Sequence, residues 1–229
     1  MVKQWILKVL AFIMLILGLG LIILPGVLNK SHMETSSKLI NEYDSSKDSI
    51  RDTEYEMMWR EAREYNIQLA QKEKQFIMNE REINIVNSLL NPYGTGMIGY
   101  INIPKIEIYL PIFHGTEERV LQSGCGLMYG SSLPTGDKDC NSIITAHSGL
   151  VKAKMFTDIN KLAAGDTFYI TILNKEFEYK VIDKIVTDPD DLSKLEIKPD
   201  KNYVTLYTCT PPGLNTQRLL VIGELDRSE

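Results

Sequence analysis

The stretch WILKVLAFIMLILGLGLIILPGVL, Trp5–Leu28, limits what this chain can become more than any other feature. It is apolar apart from Lys8, and Val9–Leu28 runs for twenty residues without a charge. At about 1.5 Å of rise per residue, a helix of that length spans the roughly 30 Å hydrocarbon core of a bilayer. Lys3 and Lys8 lie on its N-terminal side. By the positive-inside tendency, residues 1–4 are expected as a short cytoplasmic tail and 5–28 as a transmembrane signal anchor. A cleaved signal peptide is the alternative, but its apolar core is usually shorter, and Pro25-Gly26-Val27 makes a poor cleavage site. Everything after Asn29 is therefore expected outside the membrane. That side is oxidising, and three cysteines in 229 residues mean that the fold does not depend on disulfides. No second apolar run of membrane length occurs.

After the anchor, no proline or glycine appears from Val27 to Asn91, and charges are dense. Residues 29–54 are polar enough for a solvated stalk. Within 55–90, Tyr55, Met58, Trp59, Ala62, Tyr65 and Leu69 recur at three- and four-residue steps, the stripe of an amphipathic helix that docks on something. At NPYGTG, residues 91–96, the pattern changes to turn formers followed by the alternating MIGYINIPKIEIYLPIF. Further strands are expected at Ser142–Ala146, Thr167–Leu173, Glu176–Val186, Tyr203–Thr208 and Arg218–Ile222, with a short helix in AKMFTDINKL. Many short strands with few helices suggest a mainly β domain over 91–229, a closed or nearly closed barrel.

The chemistry is concentrated in TLYTCTPPGLNTQR, residues 205–218. Buried filler is the ordinary role of a free cysteine, but Cys209 stands where a strand runs out into a Pro-Pro-Gly turn. Arg218 begins the returning strand, so a hairpin brings a fixed cation near the thiol and favours thiolate. A thiol nucleophile also needs a proton-handling partner. His147 ends the apolar strand of NSIITAHSGL and is the first candidate, His114 in PIFHGTEE is the second, and His32 falls in the stalk. A net charge of −5 argues against nucleic acid as a partner. No CxxC pair or His/Cys cluster has zinc spacing, so neither a metal nor another cofactor is expected.

TLYTCTPPGLNTQRLLVIGE resembles the cysteine–arginine signature of sortases, membrane-anchored transpeptidases of Gram-positive bacteria. SIITAHSGL with AKMFTDINKLAAGDTFYI is similar to their histidine segment, and GYINIPKIEIYLPIFHGT to the first two strands of their eight-stranded barrel. LLNPYGTGMIGYINIPKI and GSSLPTGD favour the pilin-polymerising class C. The resemblance implies Cys209 as nucleophile, His147 as proton-transfer partner and Arg218 as the group that positions and polarises the substrate. It implies cleavage of a Leu-Pro-x-Thr-Gly-like (LPxTG-like) sorting signal between Thr and Gly through a thioacyl-enzyme. An amine then takes the acyl group, in class C usually a pilin lysine. Thr208, Thr210 and Ser148 are expected near the substrate.

The chain also departs from the class pattern. The Asp-Pro-aromatic lid of class C enzymes has no counterpart in Asn66–Ser88, which implies a site without a lid or one covered differently. Ser148 stands where an arginine usually follows the histidine, and Pro212 where tyrosine is frequent. Cys125 and Cys140 allow either a bridge or two lone thiols. The acidic DPDD at 188–191 reads more readily as a solvated turn than as a calcium loop. Other readings are a housekeeping sortase that uses a cell-wall precursor, a hydrolase on the same fold, and a membrane-tethered scaffold without catalysis.

Overall fold

The computed structural model describes residues 2–226. Met1, in the expected tail, and residues 227–229, the end of the expected barrel domain, lie outside the described residues. Helix α1 covers Val2–Ser46, and its apolar part is exposed all round, with Leu15 66%, Leu21 74% and Ile22 78% accessible. Among the described residues it is the one helix long and apolar enough to cross a membrane.

The helix does not give way to a free stalk at Asn29. With no proline or glycine to stop it, α1 continues to Ser46 and lies on the barrel. Ser36, Ile40 and Tyr43 recur at helical spacing and are buried. The Tyr43 hydroxyl donates to the Ile98 carbonyl at 2.7 Å and accepts the Leu173 N–H at 2.9 Å. Tyr93 and Tyr100 meet its ring edge-on, with centroids 5.7 and 6.4 Å away. Three buried positions among polar neighbours are too sparse a stripe to stand out in the sequence.

Helix α2, Asp52–Ala70, buries the expected stripe through Tyr55, Trp59, Ala62 and Leu69, with Met58 and Tyr65 half-buried against the same core. The Trp59 indole donates to Asn174 Oδ1 at 3.0 Å and packs edge-on to Phe177. Asn66 joins this face unannounced by the pattern. Its amide donates to the Leu133 carbonyl at 2.8 Å and to Thr135 Oγ1 at 3.0 Å, while its oxygen accepts the Leu133 N–H at 2.8 Å. Asn66→Ala leaves the buried Leu133 N–H without its partner, whereas the Leu133 carbonyl keeps the Thr135 N–H at 2.9 Å, so a loss of about 1–3 kcal/mol is expected in urea unfolding. Helix α3, Glu80–Ser88, starts at a reciprocal cap in which Asn79 accepts the Glu82 N–H and Glu82 accepts that of Asn79.

Eight strands close into a barrel. They are β1 Met97–Ile103, β2 Ile108–His114, β3 Cys125–Leu127, β4 Cys140–Thr145, β5 Thr167–Ile172, β6 Lys175–Thr187, β7 Asn202–Thr210 and β8 Gln217–Leu225. Their order around the barrel is β1-β2-β3-β4-β7-β8-β6-β5, with β2–β3 and β4–β7 parallel and the other pairs antiparallel. The single-turn helix α4, Glu118–Leu121, links β2 to β3. AKMFTDINKL does not form the expected α-helix. It makes turns and a 3-10 segment at Ile159–Lys161, with Met155 at φ +42°. The three-residue spacing of Phe156, Ile159 and Leu162 that reads as helical instead buries all three against the barrel core.

Inside the barrel, Ile101, Ile112, Ile144, Ile170, Val204, Leu206, Leu219 and Val221 form one continuous core. Every residue of β4 is buried, because its outward side chains are covered as well. Ile143 packs outside the barrel with Leu195 and Leu220, against Tyr207, Met128, Ile185 and Phe76.

Candidate active site

Side chains directly opposite one another on adjacent strands share a face of the sheet. In β7 the alternation puts Val204 and Leu206 inside, so Thr205, Tyr207 and Cys209 face outward. Across the antiparallel pair, Cys209 lies opposite Arg218, and Tyr207 opposite Leu220. Across the parallel pair the ladder runs to Thr145 beside Tyr207, and the Ala146 N–H still donates to the Tyr207 carbonyl at 3.2 Å. His147 therefore arrives level with Cys209. Cys209 and Arg218 share the outer face beside the Ile143–Leu220 cluster, and His147, two residues past the end of β4, follows the strand that pairs with β7.

Two hydroxyls fasten these residues. Thr208 Oγ1 donates to the Ala146 carbonyl at 2.6 Å, and Ser148 Oγ to the Cys209 carbonyl at 2.5 Å. Thr208 is 2% and Ser148 9% exposed, so both expected substrate contacts have their hydroxyls turned into the protein, on backbone that carries His147 and Cys209. Thr210 stays half-buried at the end of β7, opposite Gln217. The Phe156 N–H donates to the His147 carbonyl at 2.9 Å, which anchors the histidine from the far side of its loop. Gly149, at φ +75°, brings this loop against the next one. A Cβ there would stand 3.0 Å from Pro212 Cβ.

The Arg218 guanidinium donates through Nη1 to the Asn215 and Gln217 carbonyls at 3.1 and 3.0 Å, which ties it to the β7–β8 turn. Burial raises the phenol pKa of Tyr207, and Arg218 beside it pulls it part of the way back. Glu118, which the sequence did not single out, stands with Oε2 3.3 Å from His147 Nε2. The two are within ion-pairing range but out of hydrogen-bond alignment, since that buried nitrogen has no hydrogen-bond partner. Gln122, donating to Glu118 Oε1 at 2.8 Å, is the main cause of the lowered Glu118 pKa, and the imidazole adds to it.

The remaining candidates have other duties. His114 is buried and its Nε2 lies 2.7 Å from the Leu89 carbonyl; burial lowers its pKa. His32 rides on α1, 3.3 Å from the Gln122 carbonyl. All three cysteines are free, so Cys125 and Cys140 are lone thiols. Burial pushes Cys140 up to about 11 and Cys125 higher still, whereas Cys209 is half-exposed. In the DPDD turn, Asp191 accepts from Ser193 N–H and Oγ and from Thr187 Oγ1, as a turn cap would. Among the described residues no three His, Cys, Asp or Glu side chains gather as a metal site.

The segment between α2 and α3 crosses the outer face. Gln75 donates to the Gly130 carbonyl at 3.2 Å and accepts the Ile197 N–H at 3.3 Å, bridging the β3–β4 and β6–β7 loops. Phe76, next to it, packs on the Ile143–Leu195–Leu220 cluster. The apolar floor beside Cys209 is thus covered in part without an Asp-Pro motif.

The sequence matches the family described as Sortase domain over residues 101–226, more than half of the chain. The chain belongs to the sortase family. Sortases are cysteine transpeptidases, and this one has the mainly β, closed eight-stranded barrel that the resemblance implied. It is 25% identical to sortase A of Listeria monocytogenes over 226 residues, which covers 97% of this chain and 92% of that protein. A crystal structure of sortase C1 from Streptococcus agalactiae matches at 40% identity with a TM-score of 0.80, over 84% of this chain and all of that one. Clostridium perfringens sortase C, solved with the C-terminal cell wall sorting motif, matches at 38% identity and a TM-score of 0.71, over 83% and 98% of the two chains.

Proposed function

We propose that this sortase cleaves an LPxTG-like sorting signal between Thr and Gly and passes the acyl group to an amine, with Cys209, His147 and Arg218 as its catalytic residues. The observation that carries the proposal is that Cys209 lies opposite Arg218 on adjacent strands, while His147 follows the strand paired with β7 and its neighbour Ser148 donates to the Cys209 carbonyl. The Cys209 thiolate adds to the threonine carbonyl, and Arg218 with nearby N–H groups balances the charge that develops on its oxygen. His147 as imidazolium protonates the departing glycine amine, and the neutral ring then accepts a proton from the incoming amine. A thioester is reactive enough for that amine to intercept, so the acyl bond energy is retained.

The pilin-polymerising reading, with a pilin lysine as acceptor, draws on the likeness to sortases C over almost their whole length. A housekeeping role, with a cell-wall precursor as acceptor, is the second reading; the likeness to sortase A along 97% of this chain favours it. Supplying a lysine-bearing pilin domain and an oligoglycine peptide in competition separates the two. The first reading expects the isopeptide product, the second the oligoglycine adduct, and free acid alone would indicate a hydrolase. Residues 5–28 act as the membrane anchor, with the barrel on the outer side.

Phe76 covers apolar floor that a peptide would use. Phe76→Ala is expected to lower KM for the sorting-signal peptide several-fold with kcat unchanged, as steady-state kinetics would show.

A further inference from the structure

Two chains of contact tie the catalytic residues to the foot of α1, just past the apolar run. Asn29 Oδ1 accepts the Lys154 N–H at 2.7 Å, and two residues on, the Phe156 N–H donates to the His147 carbonyl at 2.9 Å. On the other side, His32 Nε2 lies 3.3 Å from the Gln122 carbonyl oxygen, and Gln122 holds the Glu118 carboxylate that stands 3.3 Å from His147 Nε2. Residues 29–32 of α1 are thus joined to His147 by two routes of only a few residues each. With about 1.5 Å of rise per residue, they also lie within about 6 Å of Leu28, where the apolar run ends. The polar layer on each side of a bilayer is itself roughly 5–8 Å deep.

We propose that the catalytic rim of the barrel rests in the lipid headgroup layer, and that loop 149–153 makes a second, peripheral contact with the bilayer beside α1. This rests on the reading of α1 as a membrane anchor. The occupant is a lipid surface, because the anchor places one there and leaves no space for a protein layer between. The rim has the matching chemistry. Val151 is 66% exposed and Leu214 73% exposed, on two loops that touch where Gly149 meets Pro212. Elsewhere on the rim, Lys30 and Lys152 are exposed, as are Glu34 and Glu118, so the contact is made by apolar tips and needs no anionic lipid. The groove beside Cys209 then opens at the bilayer surface and takes peptide presented there.

The test uses the full chain in phosphatidylcholine proteoliposomes, in a Cys209→Ala background that leaves only the buried Cys125 and Cys140. An environment-sensitive NBD dye is attached at Val151→Cys, Leu214→Cys, Leu15→Cys or Ile67→Cys, one at a time. Ile67 is 61% exposed on α2 and is the water-facing reference. Lipids with a nitroxide near the headgroup should quench the dye at 151 and 214 at least two-fold more than at 67. Quenching at 15 by a deep-chain nitroxide, with 151 and 214 no more quenched than 67, would overturn the rim contact and keep the anchor. No quenching at 15 would overturn the anchor and the rim contact with it.

Discussion

Cys209→Ala abolishes turnover of an LPxTG-like peptide, a loss on the order of 10⁶-fold and below detection in practice. The reason is chemical. The other two thiols are buried with raised pKa values, so no second nucleophile can take over. Stability should stay within about 0.5 kcal/mol, because Cys209 is half-exposed at a strand end. Cys125→Ala and Cys140→Ala should behave in the opposite way, keeping activity while lowering the unfolding midpoint. Steady-state peptide cleavage and urea unfolding of the three variants check both halves. Residual turnover in Cys209→Ala would remove the nucleophile from the account.

Arg218→Ala is expected to lower kcat/KM by about 10²–10³-fold, the usual cost of removing a donor aimed at a developing oxyanion. Arg218→Lys should recover only part of that. An ammonium keeps the charge, but it cannot hold the Asn215 and Gln217 carbonyls and still present a planar fork to the substrate. The readout that separates this role from a merely structural one is the rate of Cys209 alkylation by iodoacetamide. If Arg218 acts on bound substrate, that rate stays within a few-fold of wild type while kcat falls. If alkylation falls as far as turnover, Arg218 works through the thiol instead.

Cys209 and Arg218 were readable together because a hairpin is local. Nine residues with a Pro-Pro-Gly turn leave little choice but to bring them opposite each other. His147 was readable as a strand end, but its place beside Cys209 depends on β4 and β7 pairing in parallel across some sixty residues of chain, which no local pattern encodes. The eighth strand, β3, is a Cys-Gly-Leu segment too short to show any alternation. Side-chain direction was also invisible. Thr208 and Ser148 stand next to Cys209 and His147 in sequence, yet their hydroxyls fasten backbone. Glu118, Gln75 and Phe76 reach the site from elements far away in the chain, and nothing local marks them. The same holds for α1, whose polar composition suggested a free stalk although three well-spaced residues seat it on the barrel.

If Cys209 carries the acyl group between donor and acceptor, the enzyme should hold that group covalently when no amine is present. Intact-mass spectrometry of the full chain in detergent, with an LPxTG-like peptide and no amine acceptor, reads this out. An added acyl mass is expected that maps to the peptide containing Cys209, disappears on treatment with hydroxylamine, and is absent in Cys209→Ala. An adduct on any other residue, or peptide cleavage with no adduct that hydroxylamine removes, would rule out Cys209 as the acyl carrier.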